Sequence, residues 1–176
     1  MPSVEEGNLG FDFPAGWEVA KLDDWSFYRR QFLKVCSGTK AVDILAMEPG
    51  EACAWYIEVK DYRRHARSKT YGVADEIACK VRDSLALLAA ARVNANDAVE
   101  KAQAGRALRC RSIRVVLHLE QPTKPSRLFP RKIDLANTQQ KLRQLVKAVD
   151  PHALARETHL MTGCGWSVRS LGDAHR

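Results

Sequence analysis

Residues 40–64 read KAVDILAMEPGEACAWYIEVKDYRR, and the fold turns on how this stretch pairs with itself. Two apolar, β-branched runs, Ala41 to Met47 and Ala54 to Lys60, flank a loop at residues 48–53 whose Pro49-Gly50 is turn chemistry. A hairpin closed by this loop sets Met47 opposite Ala54. Counting back along both strands, Asp43 then falls opposite Glu58. Side chains alternate between faces, so Val42, Ile44 and Ala46 meet Val59, Ile57 and Trp55 on an apolar face. Asp43, Glu58 and Lys60 share the other face with Leu45 and Tyr56.

Working outward, FDFPAG at residues 11–16 is turn chemistry, and Trp17 to Leu22 has the pattern of a short strand. Asp24 is placed to cap a helix running through WSFYRRQFLKV and ending at Ser37-Gly38. Beyond the hairpin the period changes. Val73, Ile77, Val81, Leu85 and Leu88 recur every three or four residues, the stripe of a helix that ends near Arg92. A second helix is expected over Ala98 to Ala107, and Ser112 to Glu120 has the composition of a strand. Three prolines make residues 121–130 a loop. Leu135, Leu142, Leu145 and Val149 mark another helix, stopped by Pro151, and Gly165 to Leu171 is expected to be a closing strand. This order predicts a mixed α/β (α+β) fold, a central mixed β-sheet flanked by helices, in one domain over residues 1–176.

The 176 residues carry a net charge of +7, unevenly spread: residues 1–59 hold five basic and ten acidic groups, residues 101–132 nine and one. An acidic N-terminal third thus precedes a basic remainder, which suggests a polyanionic partner. The longest apolar run, Leu85 to Ala91, is far short of the ~20 residues of a membrane span. Glu5 and Glu6 stand where an export signal would be basic, so a cytoplasmic location is expected. Five cysteines without a CxxC pair are expected to be reduced, mostly buried thiols. No phosphate-loop, dinucleotide, serine-hydrolase or zincin motif is present, and His118, alternating with Val116 and Glu120, is expected to be structural.

Directly opposed carboxylates have Cβ atoms about 5 Å apart and repel unless a cation lies between them. A divalent metal is the simplest remedy. Two carboxylates, a backbone carbonyl and waters form the hard oxygen environment that magnesium prefers, and Lys60 adds an ammonium beside it.

KAVDILA followed by WYIEVKDYR resembles the motif segment of the PD-(D/E)XK nuclease superfamily. The resemblance covers roughly residues 38–92, DEIACKVRDSLALL being similar to the helix that follows E-x-K in some members. It implies a restriction-endonuclease-like core, with Asp43, Glu58 and the Val59 carbonyl holding Mg2+ (or Mn2+ as substitute) and Lys60 as the catalytic lysine. Val42 replaces the proline of the family pattern. The implied activity is metal-dependent phosphodiester cleavage in DNA or RNA, with a protein partner supplying specificity in some such systems.

The basic run after Lys60 supplies candidate phosphate contacts, Arg63, Arg64, Arg67 and Lys69, to which Lys80 on the next helix is added. An i, i+4 pair with Glu76 is the plainer role for Lys80. The second basic stretch, including Arg106, Arg109, Arg111 and Arg114, would suit a nucleic-acid backbone. Two other functions share these features: a nuclease fold with an idle site that serves as a nucleic-acid-binding or assembly module, and an interaction protein with a basic surface for an acidic partner.

Overall fold

The computed structural model describes residues 1–64, 72–122, 124, 126–127 and 133–172. Strands β1 (Ser3–Glu6) and β2 (Leu9–Asp12) form an N-terminal hairpin, followed by β3 (Glu18–Lys21) and the short helix α1 (Ser26–Arg30). Then come β4 (Ile44–Met47), β5 (Cys53–Asp61), α2 (Val73–Asn94), α3 (Ala98–Ala107), β6 (Ser112–Glu120), α4 (Leu135–Leu145), β7 (Leu154–Arg156) and β8 (Ser167–Ser170). The five-stranded sheet runs β3-β4-β5-β6-β7, and a three-stranded sheet runs β1-β2-β8. The larger sheet is mixed: β3 and β4 pair antiparallel, as do β4 and β5, whereas β6 lies parallel to β5 and β7 parallel to β6. Parallel neighbours need long crossovers, and α2 with α3 form the first and α4 the second.

The expected fold class holds, with one difference in layering. The helices line one face of the large sheet, where Leu45, Met47, Tyr56, Val115 and Leu117 pack with Ile77, Val81, Leu88 and Leu142. The three-stranded sheet covers the other, where Leu9, Phe11 and Phe13 meet Ile44, Ile57, Val59 and Val116. Residues 11–16, expected as a turn, therefore begin inside β2. Leu9, Phe11 and Phe13 alternate and are fully buried, which makes this segment a core strand. The strand at the C-terminal end is present, but β8 pairs antiparallel with β2 and does not close the main sheet. Parallel β7, with only three residues, had no legible pattern.

The hairpin register is as expected: Ile44↔Ile57, Leu45↔Tyr56, Ala46↔Trp55 and Met47↔Ala54. Gly50, at φ 67°, makes the reversal in the intervening loop. The first strand is shorter than expected. Lys40, Ala41 and Val42 give their N–H groups to Asp83 Oδ2 (3.1 Å), Tyr28 Oη (3.3 Å) and Ser84 Oγ (2.9 Å). Side chains thus hold this segment, and the strand alternation does not reach it. Val42 consequently packs with the helix-side cluster and not beside Ile44, correcting its expected face.

Other local expectations shift for similar reasons. Asp24 does not cap α1; it pairs with Arg29, and the Glu100 carboxylate from α3 accepts the N–H groups of Ser26 and Phe27. On α2, Leu87 is fully buried in place of the half-buried Leu85. Of the five unpaired cysteines only Cys53 is buried, while Cys36 and Cys79 are exposed, so the expectation of mostly buried thiols fails. Much of the second basic stretch is neutralised: Arg106 pairs with Glu18 (2.7 Å), Arg109 with Glu51 (2.6 Å) and Arg114 with Asp150 (3.3 Å). No helix among the described residues is long and apolar enough to cross a membrane.

Candidate active site

Glu58 sits in the middle of β5 on the helix-facing side and is fully buried. Asp43 lies one step before β4, opposite Glu58 by continuation of the Ile44↔Ile57 pair. Because β4 begins at Ile44, no strand among the described residues neighbours the edge of β5 beyond Ile57 on that side. Asp43 Oδ2 fills the gap by accepting the Val59 N–H at 2.7 Å. The N–H and C=O of one strand residue point to the same side, so the Val59 carbonyl faces this gap as well.

Two lysines close around the carboxylates. Lys60, two residues along β5 and on the same face, pairs with Glu58 and lies 3.3 Å from Glu76 on α2. Lys80 enters from α2, placing Nζ 2.6 Å from Glu58 Oε1 and 3.2 Å from Asp43 Oδ1. The carboxylates therefore converge as the hairpin register requires, and ammonium groups supply the cation that their repulsion demands. Lys80, expected at a phosphate or in a local pair with Glu76, has its ammonium spanning both acids.

Helix α2 explains this placement. Its sheet-facing stripe is apolar except at Glu76, Lys80 and Ser84, spaced four residues apart and all buried. That spacing stacks the three polar groups in one row toward β4 and β5. Ser84 Oγ accepts the Val42 N–H and donates to the Lys80 carbonyl (2.8 Å), fastening the segment that carries Asp43 to the turn that carries Lys80. Ser84 was not singled out from the sequence, although a polar residue four positions beyond Lys80 on a buried stripe was the available signal.

Burial, followed by the neighbouring Asp43 charge, pushes the Glu58 carboxyl up to about 7 against the pull of Lys80 and Lys60. Burial opposes the charged form of Lys60, but Glu58, Asp43 and Glu76 outweigh it and hold the ammonium above its ordinary value. Lys80 is raised too, Glu58 and Asp43 overcoming its desolvation. Among the described residues, buried Glu58 Oε2 has no hydrogen-bond partner. An unpaired carboxylate oxygen, with Asp43 and the Val59 carbonyl on the same strand edge, is a donor set suited to a hard cation. Among the described residues, no group of three or more His, Cys, Asp or Glu side chains is arranged to hold a metal, so such a cation would rely on two carboxylates, the carbonyl and water.

Of the remaining candidates, Arg63 has its partners described. Arg63 bonds Asp61 through Nε (2.9 Å) and Nη2 (2.6 Å) and donates to Ser170 Oγ (3.2 Å), so its guanidinium is turned toward β8. Arg64 is exposed, and Arg67 and Lys69 lie outside the described residues. A cavity of about 260 Å³ adjoins the site between residues 36–40 and α2, with Glu76, Cys79 and Lys80 in its wall. On the opposite face of the sheet, His118 is buried beside the Phe11 ring, its Nε2 3.0 Å from Glu120 Oε1.

No family model and no solved structure matches the chain. Among curated proteins, a cysteine–tRNA ligase of Neisseria meningitidis serogroup A is 34% identical over 167 residues, a match covering 78% of this chain and 24% of that protein. The chain therefore spans about a quarter of the length of the relative it matches.

Proposed function

We propose that the protein is a metal-dependent phosphodiesterase acting on nucleic acid, with a restriction-endonuclease-like core. The observation that carries this reading is the meeting of Asp43, Glu58 and Lys60 on one face, at the end of an antiparallel pair where the sheet leaves the Val59 amide and carbonyl side open. The motif resemblance assigns the metal role to these same residues. Asp43, Glu58 and the Val59 carbonyl would hold Mg2+, and Glu58 Oε2 has no donor among the described residues. When bound, the ion would supply Lewis-acid polarisation of the scissile phosphate and lower the pKa of a coordinated water.

The chain's own groups do the rest. Lys60 Nζ carries only donors, so it orients a water through the lone pairs of its oxygen and offsets charge on a phosphoryl oxygen. Its contacts to Glu58 and Glu76 hold it aimed along the carboxylates. Asp43 keeps its position because Oδ2 is fixed by the Val59 amide. DNA is the substrate implied by the resemblance; RNA is the second candidate, favoured by similarity to a protein whose name couples it to tRNA.

One observation favours a second reading, an idle nuclease fold that binds nucleic acid. Lys60 and Lys80 together balance the charges of Asp43 and Glu58, so the acidic pair is electrostatically satisfied without a metal. The two readings separate in a cleavage assay on labelled single- and double-stranded DNA and RNA, with Mg2+ or EDTA. The enzyme reading expects Mg2+-dependent products that vanish in Glu58→Ala while binding persists. Binding without cleavage of any form, under either Mg2+ or Mn2+, supports the idle reading.

A further inference from the structure

A divalent ion shared by Asp43 and Glu58 would have to lie between them, and that place is taken by the Lys80 ammonium, 3.2 Å from one carboxylate and 2.6 Å from the other. Lys60 is placed differently, between Glu58 and Glu76. Each ammonium carries a single charge, and the two together leave Glu58 Oε2 without a partner. Lys80 also has somewhere to go. It lines the 260 Å³ cavity beside the site, and its four-carbon stem lets Nζ travel while the α2 backbone stays fixed.

We propose that Lys80 is a built-in counter-ion that holds the cation position between Asp43 and Glu58 and withdraws toward the adjoining cavity when a divalent metal enters. This rests on the metal-site reading above. Metal and ammonium then compete for the same oxygens, and the apparent metal affinity is lowered by the fraction of molecules in which Lys80 occupies the gap. Lys80 thereby acts as a positioning residue: it keeps the carboxylates at cation spacing before metal arrives.

The test is Mn2+ binding to the metal-free protein by titration calorimetry, combined with melting curves with and without Mn2+. Lys80→Met should bind Mn2+ about tenfold or more tightly than wild type, because competition between cations for two carboxylates is removed. Its melting temperature should also rise more on Mn2+ addition, since the ion replaces a lost counter-charge. Lys60→Met should gain less. Should Lys80→Met fail to fold, Lys80→Gln keeps a polar end on a slightly shorter chain without the charge and should show the same gain, whereas Lys80→Arg should not. Mn2+ affinity in folded Lys80→Met or Lys80→Gln equal to or below wild type overturns the proposal and leaves the metal site standing. An equal gain in Lys60→Met overturns it as well. Absence of Mn2+ binding in wild type and every folded variant refutes the metal-site reading and this proposal with it.

Discussion

Ser84→Ala tests whether the active-site geometry is held from α2. Ser84 and Val42 are both fully buried, and the Ser84 hydroxyl is the acceptor for the Val42 N–H. Alanine leaves that donor buried and unpaired, at a cost of about 1–3 kcal/mol. The second bond of the hydroxyl, to the Lys80 carbonyl, matters less, because that carbonyl keeps its helical partner, the Ser84 N–H. The better helix propensity of alanine returns at most about 0.5 kcal/mol. The net loss is about 0.5–2.5 kcal/mol, which for a chain of this size lowers the melting temperature by roughly 1–10 °C. Val42 is the residue before Asp43, so the same substitution should loosen the Asp43 carboxylate and weaken Mn2+ binding beyond what the stability loss accounts for. Calorimetric melting and Mn2+ titration on the same samples provide both readouts. A melting temperature within about 1 °C of wild type, with unchanged Mn2+ affinity, would show that the Ser84 hydroxyl does not hold the β4 entry.

Lys60→Ala should lower Mg2+-dependent cleavage by about 10²-fold or more with binding preserved, the scale of one charged group at a reacting centre, and a rate equal to wild type would remove Lys60 from the chemistry. Mn2+ affinity should rise with pH through about 7, because burial raises the Glu58 carboxyl to that value and only its ionised form binds the ion; a flat titration from pH 6 to 8 contradicts this. Glu120 behaves oppositely: despite burial, the adjacent His118 ring and hydrogen bonds from Thr158 hold its carboxyl down at about 2. A depressed carboxylate contributes stability above its unfolded value near 4.5 that is lost as pH falls toward 2, so the fall in denaturation midpoint over that window should be shallower in Glu120→Gln. Thiol labelling of the native protein should modify the exposed Cys36 and Cys79 well before Cys53, whose thiol is buried and raised by desolvation; labelling of Cys53 at the same rate would contradict the described core.

The pairing of Asp43 with Glu58 was legible in residues 40–64 alone, because a six-residue loop and a period of two fix which side chains share a face. Lys60 followed from the same period, and α2, α3 and β6 from apolar spacing and β-branched content. These features depend on neighbours within a few positions, which a sequence displays directly. What lay beyond it depends on partners far apart in the chain. The Lys80 ammonium meets an aspartate 37 positions away, Ser84 holds an amide 42 positions away, and Glu100 caps a helix 73 positions upstream. The apolar β2 alternation is present in the sequence but its partner β8 lies at the far end of the chain, and the Arg106 and Arg109 charges meet Glu18 and Glu51, which a linear charge count assigns to different segments. Local periodicity sets which way a side chain faces. The group it faces is decided when chain folding brings distant elements together, since burial makes each charge find the nearest opposite one regardless of its distance in sequence.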